Sequence, residues 1–141
     1  MFVDVRVAVP AEKERVEAAM ASLCPTVEGA RLEVLGGIGR PPMHESAAVS
    51  LLAIARKVSE GAGLPAAEGV TVGGGSDGNF TAAVGVATLD GLGAVGGGAH
   101  GADEHVLLSR MADRAALMAG LCQELSSMAS RLDPVRVPAD R

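Results

Sequence analysis

The chain has 141 residues, of which 48% are hydrophobic and 21% charged, which suits one modest globular domain or parts of two and excludes a disordered chain. Seventeen Asp and Glu outnumber twelve Lys and Arg, and only two residues are aromatic. No nucleic-acid partner and no membrane partner are expected, because the first needs stacking side chains on a basic face and the second needs clustered cations.

The first third of the chain is predicted to form a strand, a helix and a second strand. Valine at every second position predicts a half-buried strand over residues 2–9. A stripe of apolar residues predicts an amphipathic helix over residues 11–23, and a short apolar stretch predicts a strand over residues 31–35. Two prolines stiffen residues 37–43, where Arg40 is either a clamp for a carboxylate or an ordinary surface arginine.

The middle third alternates helices and strands, which is the rhythm of a parallel α/β layer. Residues 45–60 carry a helical apolar stripe, and residues 70–72 and 86–90 are predicted strands. Between these strands a helix is predicted to begin at Ser76 or Asp77 and to end before Gly85. Capping this helix is the favoured role of Asp77, and a role as ligand, base or substrate contact stays open.

The last third is predicted to be a glycine-rich loop followed by the longest helix. Residues 73–104 hold eleven of the nineteen glycines, a density typical of shaped turns. The loop over residues 91–102 carries His100, and residues 106–108 are predicted to be briefly extended. A helix is predicted over residues 109–132, with its methionines in the core, and the tail from Asp133 is predicted to fray.

The two cysteines and the N-terminus indicate a cytoplasmic protein. Cys24 and Cys122 form no CxxC pair, so they are predicted to be buried thiols in a reducing compartment. The N-terminus lacks the basic and apolar stretches of a secretion signal, and no apolar run reaches the roughly eighteen residues of a membrane span.

Two motifs in the glycine-rich loop are candidates for chemistry. Residues 91–96 match GxGxxG, but further glycines follow where a dinucleotide-binding turn would open into a helix, so a plain turn is favoured. His100, between small residues, can present its ring to a metal or be a plain loop histidine. One imidazole is too few for a zinc site, and neither His44 nor His105 stands at a helical metal-ligand spacing from it.

The segment GGIGRPPM at residues 36–43, the segment at residues 73–106 and the closing helix together resemble a known family. They are similar to the C-terminal part of the zinc-dependent metallopeptidases related to glutamate carboxypeptidase, carboxypeptidase G, acetylornithine deacetylase and aminoacylase. The resemblance implies an α/β fold: part of a three-layer α/β catalytic domain at residues 64–141, preceded at residues 1–63 by part of an α+β lid that often dimerises.

The resemblance also implies roles for particular residues. His100 matches a ligand to one of the two zinc ions that a complete enzyme of this kind carries. Arg40 matches the arginine that grips the substrate's carboxylate. Asp77 matches the acidic residue of the family's glycine turn, whose part is either structural or close to the substrate. Gly96, Gly97 and Gly98 are implied to lie against the substrate.

The family's remaining chemistry has no counterpart in this sequence. A His-x-Asp element and a Glu-Glu pair, which hold the other metal ligands and the general base, are missing, so no catalytic residue is expected here. The chain is expected to be a fragment of a hydrolase for N-acyl amino acids or short peptides, inactive alone, whose partners are a carboxylate substrate, a second copy or the upstream portion. The alternatives are a non-catalytic dimerisation or ligand-binding module, and a mononuclear hydrolase built on His100, Asp77 and Asp103.

Overall fold

The computed structural model describes residues 1–131, so the predicted helix end at Leu132 and the tail from Asp133 lie outside the described residues. The helices and strands are α1 (Pro10–Ala21), α2 (Val49–Gly61), α3 (Gly78–Ala83), β1 (Gly96–Gly97), β2 (His105–Val106) and α4 (Met111–Arg131). Single 3₁₀ turns precede α2 at Glu45–Ala47 and α4 at Leu108–Arg110. Among the described residues, no helix is both long enough and apolar enough to cross a membrane.

The chain divides into two compact units, each made of two segments. The first unit contains Met1–Ser50 and Val70–Asp90, and the second contains Leu51–Gly69 together with the described residues 91–131. The domain boundary expected at residue 63 rests on family resemblance, and it stays a prediction.

The predicted helices are confirmed, with small shifts at their ends. Pro10 stands at the first position of α1, where its missing N–H costs nothing, and α1 ends at Ala21. The helix predicted from residue 45 begins as a 3₁₀ turn, in which the His44 ring accepts a bond from the Ser46 backbone N–H at 3.3 Å. Gly85 follows α3 with a φ of +83°, the left-handed conformation that ends helices.

The four predicted strands are wrong for the described residues. Residues 2–9, 31–35, 70–72 and 86–90 contain no assigned strand, and the one sheet there is the two-residue pair β1 and β2. A strand needs a neighbouring backbone to complete its hydrogen bonds, and these segments have no strand beside them within residues 1–131. The alternation survives in part, since Val5 and Val7 are half-buried while their neighbours are exposed.

The observed elements, helices with one small sheet, are consistent with part of an α/β domain. The three-layer arrangement and the lid domain stay predictions. Nothing in the sequence of a single strand says which backbone it will pair with, whereas a helix completes its own hydrogen bonds.

The core of the second unit lies where α2 meets α4. Ala55 of α2 and Leu117 and Leu121 of α4 are buried. Gly120 allows this approach, because a Cβ there would collide with the Val58 side chain. Lys57 and Glu124 form an exposed ion pair of 3.5 Å across the same two helices.

Two predictions about buried sulfur are wrong. Met111, Met118 and Met128 are each more than 40% exposed, because the buried side of α4 carries Leu117 and Leu121 instead. Cys24 and Cys122 are free thiols, as predicted, but both are exposed.

Candidate functional site

The glycine turn, which we define as residues 73–77 of the first unit, is closed by Ser76 and Asn79. The Ser76 backbone N–H donates to Asn79 Oδ1 at 2.8 Å, and the Gly78 N–H donates to Ser76 Oγ at 3.1 Å. The predicted cap, Asp77, makes no such bond. Its backbone is already helical, with φ −67° and ψ −20°, whereas a capping residue needs extended backbone to turn its side chain onto the free N–H groups.

Arg40 lies over the start of α3 and is brought together with Asp77. The carbon of its guanidinium stands 4.9 Å from the centre of the Phe80 ring, within the range of a cation–π contact. Its Nη1 is 3.6 Å from Asp77 Oδ1. The Arg40 side chain is 42% exposed and that of Asp77 fully exposed, so the cation has a defined place and an accessible face.

Asn79 and Gly75 complete the surroundings of Arg40, and neither was singled out from the sequence. Asn79 Nδ2 donates to the carbonyl of Pro41 at 2.9 Å, across 38 residues of sequence. Gly75 leaves room for the arginine, because a Cβ there would stand 2.6 Å from Arg40 Cδ. No local pattern signals either contact, since both join segments far apart in the chain.

A second arginine contacts the glycine turn at its other end. Arg6 Nη1 donates to the carbonyl of Gly73 at 3.1 Å, and Arg6 also pairs with Asp4 at 3.2 Å. The sequence pattern placed Arg6 on the outer face of a strand, which gave no hint of this contact.

The hairpin, which we define as residues 96–106, is the site feature of the second unit. Gly96 pairs with Val106 and Gly97 with His105 in antiparallel register. A Cβ on Gly96 would collide with the carbonyl oxygen of His105, so the register itself requires glycine there. Gly98 has a φ of +67°, and a Cβ on it would stand 2.9 Å from the carbonyl oxygen of Asp103.

His100 lies in the loop of the hairpin with a φ of +65°, the one non-glycine residue with positive φ in the part of the chain that is described. The left-handed region is uncommon for such residues, and strained conformations cluster at functional sites. His100 is exposed, and no described residue forms a hydrogen bond or ion pair with its ring. The imidazole is therefore presented outward and free to bind a ligand.

The neighbouring side chains shape the loop around His100. His105 Nδ1 lies 2.9 Å from the carbonyl oxygen of Asp103. A Cβ on Gly101 would stand 2.8 Å from Asp103 Oδ1, so the Asp103 carboxylate lies against the loop backbone. Asp103 and His105 therefore contact the backbone of the hairpin itself.

The donor set of the described residues does not by itself make a zinc site. Within residues 1–131, no group of three or more His, Cys, Asp or Glu side chains is placed to hold a metal. A catalytic zinc usually takes three protein ligands, and His100 offers one imidazole. The mononuclear alternative built on His100, Asp77 and Asp103 gains no support from this arrangement.

The start of the second glycine loop is held by Arg114 of α4, another residue that sequence reasoning missed. Its Nη2 donates to the carbonyl of Gly91 at 2.7 Å and its Nε to that of Gly93 at 2.8 Å. The GxGxxG match at residues 91–96 runs into β1 and not into a helix. Two carbonyls of this motif thus accept hydrogen bonds from the guanidinium of Arg114.

One comparison with known proteins identifies a family. Residues 5–124 match Peptidase family M20/M25/M40, which is more than half of the chain and includes Arg40, Asp77 and His100. A search of curated proteins found no match, and neither did a search of solved structures. Peptidases of this family are generally zinc-dependent. The extent of the match, with the glycine turn, Arg40 and the hairpin all inside it, shows that the chain belongs to peptidase family M20/M25/M40.

Proposed function

We propose that the chain is the C-terminal part of a zinc-dependent amidohydrolase that acts on N-acyl amino acids or short peptides. The enzyme types that it resembles are glutamate carboxypeptidase, carboxypeptidase G, acetylornithine deacetylase and aminoacylase. The observation that carries the proposal is Arg40, a guanidinium stacked over Phe80 and still 42% exposed.

Arg40 has the properties of a carboxylate clamp. A planar guanidinium binds a carboxylate through two parallel hydrogen bonds, and stacking on a ring fixes the plane of that fork in advance. The pair with Asp77 is long, at 3.6 Å, and fully exposed on the carboxylate side. A substrate carboxylate therefore competes with Asp77 for Arg40 at little energetic cost.

His100 is proposed to supply one imidazole to a zinc ion, completed by acidic groups outside this sequence. When bound, zinc would acidify a water and polarise the substrate carbonyl. Gly96, Gly97 and Gly98 are proposed to lie beside the substrate, where the absence of side chains lets backbone approach it. This sequence contains no His-x-Asp element and no Glu-Glu pair, so we expect no hydrolysis by the chain alone.

The proposal is tested by ligand binding to the full chain. Titration calorimetry compares N-acetyl-L-alanine with its carboxamide, which differ only in the charged group that Arg40 would bind. We expect the carboxylate to bind more tightly and Arg40→Ala to reduce its affinity about tenfold, the scale of a hydrogen bond to a charged group. The affinity for the carboxamide should stay unchanged.

The matched control is Arg31→Ala, which removes the same charge from the same unit at a residue without a described side-chain bond. Equal affinity of the wild-type chain for the acid and the amide would overturn the carboxylate clamp. Release of free alanine from N-acetyl-L-alanine by the chain with added zinc would overturn the expected inactivity.

The second candidate is a non-catalytic dimerisation or ligand-binding module of the same family. Exposed apolar side chains within the first unit favour it, since covering apolar surface with a partner removes it from water. The most exposed of them beyond the first three residues are Val27, Leu35, Val70, Val72 and Val84. Sedimentation equilibrium separates the candidates: a tight dimer without carboxylate preference favours the module.

The remaining proposals concern location and domain organisation. We propose a cytoplasmic location, and a lid at residues 1–63 that precedes a catalytic part at residues 64–141.

A further inference from the structure

Asn79 joins two segments that secondary structure leaves unconnected. Its side-chain oxygen accepts from the backbone N–H of Ser76 at 2.8 Å, and its side-chain nitrogen donates to the carbonyl of Pro41 at 2.9 Å. Both bonds are partly buried. A single amide therefore ties the glycine turn to the backbone immediately after Arg40.

The backbone around Arg40 has few other bonds, and the nearest one before it joins the Ile38 N–H to Glu17 Oε1 at 3.1 Å. Residues 39–43 belong to no helix or strand. Among the described residues, the bond from Asn79 is the one hydrogen bond to the backbone of this short segment. The prolines restrict its internal rotation but do not fix its place in the unit.

The helix that carries Asn79 also carries the ring under Arg40. Phe80 is the next residue of α3, and its ring centre lies 4.9 Å from the Arg40 guanidinium carbon. The Asn79 side chain and the Phe80 ring are therefore adjacent on one turn of α3. The first holds the backbone immediately after Arg40, and the second lies under the cationic end of the Arg40 side chain. Gly75 leaves room for the aliphatic part of the Arg40 side chain, because a Cβ there would stand 2.6 Å from Arg40 Cδ.

We propose that Asn79 is a positioning residue for Arg40. By holding the Pro41 carbonyl, it keeps the Arg40 guanidinium stacked on Phe80 in the orientation that receives a substrate carboxylate. The part concerning substrate rests on the proposed function, and the positioning itself does not.

The experiment first observes Arg40 directly in the full chain. The Arg40 Nε–Hε signal in a ¹H–¹⁵N NMR spectrum, assigned by its loss in Arg40→Lys, should be shifted upfield by the Phe80 ring and return toward the free-arginine position in Phe80→Leu. We expect Asn79→Ala to remove most of that shift. Asn79→Leu, which keeps the branched shape of the side chain and loses both hydrogen bonds, should do the same.

The matched control is Thr81→Val on the same helix. Thr81 Oγ1 bonds to the carbonyl of Gly78 at 3.0 Å and lies 2.8 Å from Thr88 Oγ1, and neither contact involves Arg40. We expect this variant to keep the shifted Arg40 signal. An unchanged signal in the Asn79 variants overturns the proposal, and so does a loss of helical circular dichroism in both of them, which would make Asn79 a general folding residue.

The second readout is the carboxylate preference, measured with N-acetyl-L-alanine and its carboxamide. Loss of the bond from Asn79 to the Pro41 carbonyl should reduce the affinity for the acid about fivefold, the scale of one ordinary hydrogen bond, and leave the amide unaffected. If the Arg40 signal moves in the Asn79 variants while the wild-type chain shows no carboxylate preference, the positioning role stands and the proposed function falls. If the preference exists and survives in the Asn79 variants, the positioning role falls and the proposed function stands.

Discussion

The glycine turn and the hairpin are both glycine-rich, but different parts of the chain hold them in shape. In the glycine turn, side chains make the decisive contacts: Ser76 and Asn79 close it, and Arg40 lies in the space that Gly75 leaves open. In the hairpin, backbone pairing does this work, and Gly96 allows the strands to approach. A region built by side chains can lose its function and keep its fold, whereas one built by backbone loses both together.

The largest effect is expected for Gly96→Val, which attacks the backbone-built region. The new side chain would collide with the carbonyl of His105, a backbone atom that cannot swing aside. We expect the free energy of unfolding to fall by about 3 kcal/mol, the upper range for overpacking. Chemical denaturation measures this loss, and exchange of the Leu107 amide, which donates to the Val95 carbonyl at 2.8 Å, reports on the hairpin itself.

The control for this change is Gly93→Ala in the loop before the hairpin. A Cβ on Gly93 meets nothing within 4 Å, and its φ is outside the left-handed region. A Gly96→Val chain as stable as the Gly93→Ala chain would show that the hairpin register is adjustable and would break the comparison.

A smaller loss of stability is expected for Arg114→Leu, because this side chain supports the loop that leads into the hairpin. Arg114 donates to the carbonyls of Gly91 and Gly93, and its removal leaves both without that partner. We expect a loss of about 1 kcal/mol, since the site is partly exposed and water replaces part of the interaction. Arg114→Lys, which keeps the charge without the two-pronged geometry, should fall between. Equal stability of Leu and wild type would count against this support.

Gly75→Ala is expected to change stability by less than about 1 kcal/mol and still to impair the glycine turn. The added methyl would stand 2.6 Å from Arg40 Cδ, so the arginine side chain must move off its position over Phe80. The preference for N-acetyl-L-alanine over its carboxamide should drop, with the denaturation midpoint almost unchanged. Gly74→Ala is the matched neighbour, because its Cβ meets nothing within 4 Å. Equal preference in the two variants would contradict a side-chain-built site.

The sequence predicted the helices well because their signals are local. Pro10 at the start of α1, the apolar stripe of α2 and Gly85 after α3 each act within a few residues of the helix end or face that they define. Predicted strands such as residues 2–9 carry an equally clear alternation, but the hydrogen bonds of a strand depend on a second segment. The periodicity of a strand therefore says which residues share a face, and not whether a strand forms.

The sequence points to candidate site residues whose roles stay predictions, and it does not reveal the residues that support them. Arg40 and His100 stand out by residue type and by their small or rigid neighbours. Asn79 could not be found in this way, because its bond to Pro41 spans 38 residues. Asp77 was preferred as the cap on residue type, and the geometry of its backbone decided for Ser76 and Asn79.

The smallest effect is expected for an exposed ion pair outside both regions. This pair is a reference for how much the ion pair of Arg40 and Asp77 contributes to the glycine turn. Arg15 holds Glu12 on α1 with three hydrogen bonds, the shortest 2.7 Å, against 3.6 Å for Arg40 and Asp77. These bonds lower the pKa of Glu12, first by hydrogen bonding and then by the charge of Arg15. A carboxyl whose pKa is lowered by folding stabilises the fold above its unfolded pKa, and that contribution is lost as the pH falls through the folded pKa.

Arg15→Gln should therefore raise the pKa of Glu12 toward its ordinary value and remove this acid-side contribution. Titration of the Glu12 carboxyl carbon by NMR measures the pKa, and stability at neutral pH should change little because both side chains are exposed. Arg15→Lys keeps the charge and loses the fork, so its effect on the pKa should be intermediate. If the closely bonded pair of Arg15 and Glu12 contributes little to stability at neutral pH, the longer pair of Arg40 and Asp77 cannot hold the Arg40 side chain in place. The position of Arg40 must then depend on Phe80 and on the bond from Asn79. If the pKa of Glu12 is the same in Arg15→Gln as in the wild type, the Arg15–Glu12 pair cannot serve as the reference for the Arg40–Asp77 pair.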